Sequence, residues 1–150
     1  MLRMVALIPQ VLLVALIAYN LLVALPGWRS PAMATSGDRR RRFRIVIPAH
    51  DEEAVIGKVL SDLGEQDYPL DSVDSWVLAD RCTDRTVEVV GTRASVAERS
   101  DGPDGKGAAL TWYLRNHPLG QDETLVVIDA DNRLPANLLA RMADEFDGGA

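Results

Sequence analysis

The 150 residues allow one domain of ordinary size with little left over. Twenty-two acidic side chains against sixteen basic ones give a formal net charge of -6, which argues against nucleic acid as a partner. A single cysteine, Cys82, excludes an intramolecular disulfide and asks for no oxidising compartment.

The 47% hydrophobic content is unevenly spread. Residues 4–25 are apolar except for Pro9, Gln10, Tyr19 and Asn20, and carry no ion. As a helix, roughly 22 residues span about 33 Å, the depth of a bilayer hydrocarbon core. Pro9 falls near the start, where a missing N–H matters least, and Trp28 follows at interface depth. The segment predicts one transmembrane helix. A cleaved signal peptide ending at Ala32-Met33-Ala34 is the alternative, but the run exceeds the ~7–15 apolar residues usual there. Arg3 stands alone before the helix, whereas Arg29, Arg39, Arg40, Arg41, Arg42 and Arg44 follow it. The positive-inside rule therefore predicts a single-pass cell-membrane protein with its C-terminal side in the cytoplasm. The arginine cluster could also rest on an anionic leaflet, at about 1 kcal/mol per charge. Residues 26–42, with Pro, Gly, Ser and Thr, read as a basic juxtamembrane linker, and 43–150 as the soluble domain.

The first strand is expected over 43–47, closed by Pro48 and a loop through Ala49, His50 and Asp51. A helix follows over 52–63, with Val55, Val59, Leu60 and Leu63 on one face. Asp51, Glu52 and Glu53 crowd its first turn, where the helix dipole favours acids. That accounts for the acids but not for His50 at a strand exit. Residues 75–79 predict a second strand ending in Asp80. Thr83 or Asp84 then caps a helix from Arg85 to about Val90. Residues 94–97 make a third, thinly apolar strand. The loop 101–107, rich in Gly and Asp, carries Lys106 beside the N-terminus of a helix over 108–116. It is not a Walker A loop, and no G-x-G-x-x-G follows the first strand, so a dinucleotide fold is not expected. The strand 123–128 runs into Asp129-Ala130-Asp131, and a last helix covers 136 to about 146.

In an extended chain Asp129 and Asp131 point to one side. Two carboxylates that close call for a cation between them, and Mg²⁺ or Mn²⁺ takes such oxygens while keeping positions open for phosphate. Strands alternating with helices predict an α/β layer with a mainly parallel sheet. Three strand ends carry polar residues: His50 with Glu52, Asp80, and Asp129 with Asp131. Ligands of such sheets bind outside the carboxyl ends of the strands.

Four segments resemble the motifs of family 2 glycosyltransferases of the GT-A fold, a Rossmann-like nucleotide-diphospho-sugar transferase layer. Residues 47–53, Ile-Pro-Ala-His-Asp-Glu-Glu, resemble P-A-Y-N-E-E. Residues 79–86, Ala-Asp-Arg-Cys-Thr-Asp-Arg-Thr, resemble D-D-x-S-x-D-x-T, with Ala79 in place of the first Asp. Residues 105–110 resemble G-K-G-x-A-L, and Asp129-Ala130-Asp131 the D-x-D. With the preceding apolar helix, the set is similar to bacterial, membrane-bound, cellulose-synthase-like members. The resemblance implies a nucleotide-sugar donor, with UDP favoured, and a lipid or glycan acceptor. It implies Pro48, Ala49 and His50 at the nucleoside, Glu52 nearby, Asp80 at the base, and Lys106 in the donor pocket. Asp129 would lie at ribose and metal, and Asp131 on the Mg²⁺ or Mn²⁺ that holds the diphosphate. The family's catalytic base would lie beyond Ala150. This chain would then hold the donor half, with a second polypeptide or a longer chain supplying the acceptor half. No Q-x-x-R-W supports processive synthesis. Two other readings are a non-catalytic nucleotide-sugar binder of the same fold and a D-x-D phosphatase. The latter would need further Lys and Asp motifs that have no place in these residues.

Overall fold

The computed structural model describes the backbone of residues 2–24 and 41–148, with side chains at Gln10, 12–22 and 41–146. Contacts divide the chain into two units, Met1–Met33 and Ala34–Ala150. In the first, the helix expected over 4–25 forms as α1, Leu2–Ala24. Leu12, Leu16, Leu21 and Leu22 of α1 are exposed. Asn20 Nδ2 donates back to Leu16 O at 2.7 Å, so its amide is satisfied within the helix. Among the described residues, which include Gln10 and 12–22 of α1, no helix is long and apolar enough to cross a membrane. The expected linker over 26–42 lies outside the described residues apart from Arg41 and Arg42.

The second unit is a four-stranded, wholly parallel sheet in the order β3-β2-β1-β4. β1 is Arg42–Ala49, β2 Val73–Asp80, β3 Ser95–Arg99 and β4 Glu123–Val127. The central strand β1 is buried on both faces, as parallel strands covered by helices are. Phe43, Ile45, Ile47 and Ala49 point to one face, with period two. There they meet Ile56, Val59, Leu60 and Leu63 of α2 (Ile56–Gly64), Val90 of α3 (Thr86–Val90), and Leu139, Ala140 and Ala143 of the last helix. Val46 points to the other face, against Leu78, Ala97 and residues Ala109 and Tyr113 of α4, Lys106–Asn116.

β1 runs on through Pro48 to Ala49 and β2 starts two residues early, at Val73; at three helix starts the difference from expectation has a physical reason. α2 starts at Ile56, not Glu52, because the amides of Glu52 and Glu53 donate to Thr86 Oγ1 at 2.8 Å and Asp84 Oδ2 at 2.9 Å. The Asp51 and Glu53 carboxylates therefore serve a junction between loops rather than a helix dipole. The last helix, α5, Leu138–Gly148, starts two residues late. Asp67 N donates to Ala136 O at 2.7 Å, and Leu139 N donates to Gln66 Oε1 at 3.2 Å. α4 begins two residues early, at Lys106, after Gly105 at φ +102°, a conformation that favours glycine.

On the α4 face, Tyr113 is fully buried, edge-on to Trp76 and stacked on His117. Its hydroxyl has no hydrogen-bond partner among the described residues, although the Arg44 guanidinium lies close by. Burial pushes its pKa up to about 12. A buried, unmatched hydroxyl contributes nothing that a phenyl edge would lose. Tyr113→Phe is therefore expected to leave stability within about 0.5 kcal/mol or raise it, measured by urea unfolding.

Candidate functional site

Because all four strands run parallel, β1, β2 and β4 deliver their C-terminal residues to one edge of the sheet. A cavity of about 380 Å³ opens there, lined by Pro48, Ala49, His50, Glu52, Asp80, Arg81, Gly105, Lys106, Ala109, Asp129, Ala130 and Asp131. Small-molecule sites fall at roughly 300–1,000 Å³. All eight residues expected from the sequence to line a site (Pro48, Ala49, His50, Glu52, Asp80, Lys106, Asp129 and Asp131) share this cavity. Arg81, Gly105, Ala109 and Ala130 join them without having been expected.

Asp80, the last residue of β2, is 7% exposed. Its carboxylate accepts from Arg99 Nη1 at 2.8 Å and from Arg81 Nε and Nη2, each at 3.2 Å. Its carbonyl lies 2.6 Å from His50 Nδ1. A carbonyl can only accept, so that nitrogen carries the proton, and Nε2 of a neutral ring is left as an acceptor. Arg81 also reaches across to Asp104. Among the described residues two non-glycines sit at positive φ, Asp51 and Arg81, both at +54° and each just past the end of a neighbouring strand. Such conformations cost about 1–3 kcal/mol and gather where function constrains the backbone.

Below them, the β1–α2 and β2–α3 loops are bolted together. Asp51 Oδ1 accepts from the amides of Thr83 at 2.6 Å and Asp84 at 3.2 Å. The Thr83 amide holds the Asp51 carboxyl below the usual range. Glu53 Oε2 takes the Arg85 amide at 3.0 Å. Asp84 Oδ1 takes the Thr86 amide at 2.9 Å. Asp84 and the two threonines of residues 83–86 thus tie the loops together.

β4 ends at Val127, although Ile128 N still donates to Val46 O at 3.1 Å. Asp129–Asn132 then turns, with Asn132 N on Asp129 O at 3.1 Å. Burial keeps alternating through the turn: Ile128 and Ala130 are buried, Asp129 and Asp131 exposed. Both carboxylates therefore reach the cavity, though from a turn rather than a strand. Lys106 Nζ is ion-paired with Asp129 Oδ1. Nothing among the described residues hydrogen-bonds the Asp131 carboxylate.

α2 secures this turn from behind. Asp62 accepts from Arg133 Nε at 2.7 Å and Nη2 at 2.9 Å, and from the Leu134 amide at 2.9 Å. Gln66 Nε2 donates to Pro135 O at 3.0 Å. The Arg133 hydrogen bond, followed by the Leu134 amide, lowers the Asp62 pKa. A depressed folded-state pKa gives stability that is present above the ordinary carboxylate pKa of about 3.9 and lost as pH falls through the folded value. Asp62→Asn is therefore expected to lower the thermal midpoint at pH 7. The gap to the parent should close below about pH 4. A gap that persists at low pH would contradict the assignment.

Two acidic groups could hold a cation. Asp129 and Asp131 offer hard oxygen donors on a solvent-accessible wall, which fits Mg²⁺ or Mn²⁺. Asp51, Cys82 and Asp84 also bring ligand atoms within 4.8 Å of one another. Their carboxylates are engaged by backbone amides, however, and burial raises the Cys82 thiol, whose Sγ donates to Ala49 O at 3.5 Å. A protonated thiol is a poor ligand for a hard ion. The donor set at 129 and 131 is the one that fits.

A model of glycosyl transferase family 2 matches residues 44–150. The chain belongs to that family. A curated relative is the beta-monoglucosyldiacylglycerol synthase of Synechocystis, 34% identical over 109 residues, covering 68% of this chain and 22% of the relative. This chain thus spans about a fifth of that relative's length. Among solved structures, residues 1–349 of S. aureus TarS in complex with UDP superpose with TM-score 0.63 at 22% identity, over 71% of this chain and 32% of that fragment. That likeness concerns the fold. The mannosyltransferase PcManGT of Pyrobaculum calidifontis, solved with GDP-Man and Mn2+, gives TM-score 0.59 at 26% identity, over 79% and 34%.

Proposed function

We propose that the cavity binds the donor of a sugar transfer, a nucleotide-diphosphate sugar, and that this chain is the donor half of a membrane-associated glycosyltransferase. One observation carries the reading: Lys106, ion-paired with Asp129, and Asp131 line the same cavity as Asp80 and His50. A nucleoside with a charged diphosphate needs that pairing of a polar acceptor wall with a phosphate-holding corner. Asp80, fixed by two arginines, would accept from the base. His50 Nε2 and the Pro48 and Ala49 backbone would line the nucleoside, with Glu52 beside it. α4 begins at Lys106 with no side-chain cap, and since the Ala108 and Ala109 amides already donate to Gly105 O, the amides of Lys106 and Gly107 are the ones offered to an anion. Lys106 can leave Asp129 for the diphosphate, freeing Asp129 toward ribose and cation.

Asp129 and Asp131 would hold Mg²⁺ or Mn²⁺. The ion would neutralise the leaving diphosphate, worth several kcal/mol in the transition state. Uridine is the base to test first, with GDP as control because the Pyrobaculum mannosyltransferase is solved with GDP-Man. The acceptor is proposed to be a lipid, in line with the Synechocystis relative's name, with a glycan as the other candidate. The acceptor side, including the base, is assigned to protein outside these 150 residues, in a longer chain or a second polypeptide.

α1 is proposed as a single-pass anchor of the cellulose-synthase-like, membrane-bound subtype. A 23-residue helix with no ion between residues 4 and 25 and a basic segment after it supports that, with the domain on the cytoplasmic side. The test is transfer of radiolabelled sugar from UDP-glucose to diacylglycerol vesicles by membranes containing the chain, with and without Mn²⁺. Mn²⁺-dependent labelled lipid supports the reading. Label in glycan alone moves the acceptor, and hydrolysis or transfer independent of metal contradicts the assigned corner.

A further inference from the structure

We propose that Arg99 is a positioning residue that sets Asp80 and the loop carrying Lys106 together, and thereby fixes the nucleobase selectivity of the cavity. The inference rests on the nucleotide-binding reading above. Arg99 closes β3, directly beside Asp80 in the parallel register. Its side chain is 2% exposed and it is not among the cavity-lining residues. It therefore acts through what it holds. Nη1 donates to Asp80 Oδ1 at 2.8 Å, and Nη2 donates to Pro103 O at 2.6 Å. Its own carbonyl takes the Arg81 amide at 2.7 Å, pinning the left-handed residue that flanks Asp80. The planar fork thus joins the Asp80 carboxylate to the loop 101–105 that launches α4, and the Arg99 backbone holds the turn after Asp80.

A buried charge must be paired, and only a guanidinium offers two rigid donors at this spacing. A lysine could satisfy Asp80 or Pro103, not both. The close approach of Gly102 reports the same tightness. A Cβ there would lie 2.5 Å from Arg99 Nη2, on a residue at φ +103°. Glycine is required at that position so that the loop can close over the fork.

The test is calorimetric titration of the full chain with UDP and with GDP, each with Mn²⁺, for the parent, Arg99→Lys and Gly102→Ala. The parent is expected to prefer one base. Arg99→Lys should reduce that preference by about tenfold or more, because Asp80 keeps only its Arg81 hydrogen bonds and loses its fixed direction, whereas any shift of the Lys106 loop acts on the diphosphate common to both nucleotides and leaves their ratio unchanged. Gly102→Ala, which displaces the same guanidinium, should shift the ratio in the same direction, and it decides the matter if Arg99→Lys fails to fold. A merely structural role would lower the thermal midpoint and weaken both nucleotides alike. An unchanged ratio in a folded variant overturns the inference, as does a parent that binds both bases equally. A parent that binds neither nucleotide refutes the proposed function itself, and the inference with it.

Discussion

Asp131→Asn is expected to abolish metal-dependent nucleotide binding, weakening it by at least about a hundredfold, while leaving the thermal midpoint essentially unchanged. The two halves follow from one fact. The Asp131 carboxylate is exposed and holds nothing among the described residues, so the fold does not need its charge. Asparagine keeps the shape and one oxygen but removes the anion that a hard cation selects. Asp129→Asn should behave differently, because Asp129 is already paired with Lys106. Its loss frees the ammonium for phosphate, and part of the nucleotide affinity should survive without metal. Binding titrations with and without Mn²⁺ check both. Equal losses from the two variants would contradict the division of roles between the carboxylates.

Thr86→Val is the second large effect, and it falls on stability. Thr86 is fully buried; its hydroxyl accepts from the Glu52 amide at 2.8 Å and donates to Asp84 Oδ1 at 2.5 Å. Valine has the same shape and neither hydrogen bond. The Glu52 amide is left without its partner, a loss of about 1–3 kcal/mol. Urea unfolding should show a lower midpoint with an unchanged slope. Thr86→Ser should recover most of it, since the hydroxyl returns. Nucleotide affinity should fall in parallel, because Thr86 is one of the ties that position the loop carrying His50 and Glu52. A valine variant as stable as the parent would show that the two loops are not bolted at this point.

How much could be read from the sequence depends on how local each signal is. The three strand ends were legible because β-branched runs break abruptly into His50, Asp80 and Asp129, and a parallel sheet gathers such ends. The D-x-D side chains were expected on one side, and the alternation of burial through Ile128 and Ala130 keeps them there even though the strand has stopped. What escaped was non-local. Asp84 and Thr86 look like a helix start, and only the neighbouring strand reveals them as partners of the Glu53 and Glu52 amides. Asp62 looks like a solvated position on an amphipathic helix and Gln66 like a loop residue past its end, yet they clamp the segment after Asp131 from some seventy residues away. Arg99 ends a strand of thin apolar content, expected only over 94–97, and its pairing with Asp80 depends on register. The helix start at 52 was misjudged for the same reason: its amides had partners elsewhere.

The most direct test of the account is calorimetric titration of the detergent-solubilised chain with UDP, with and without Mn²⁺. Binding that requires the metal and is lost in Asp131→Asn is the predicted result. A chain that unfolds cooperatively on heating yet binds neither UDP nor GDP would contradict it.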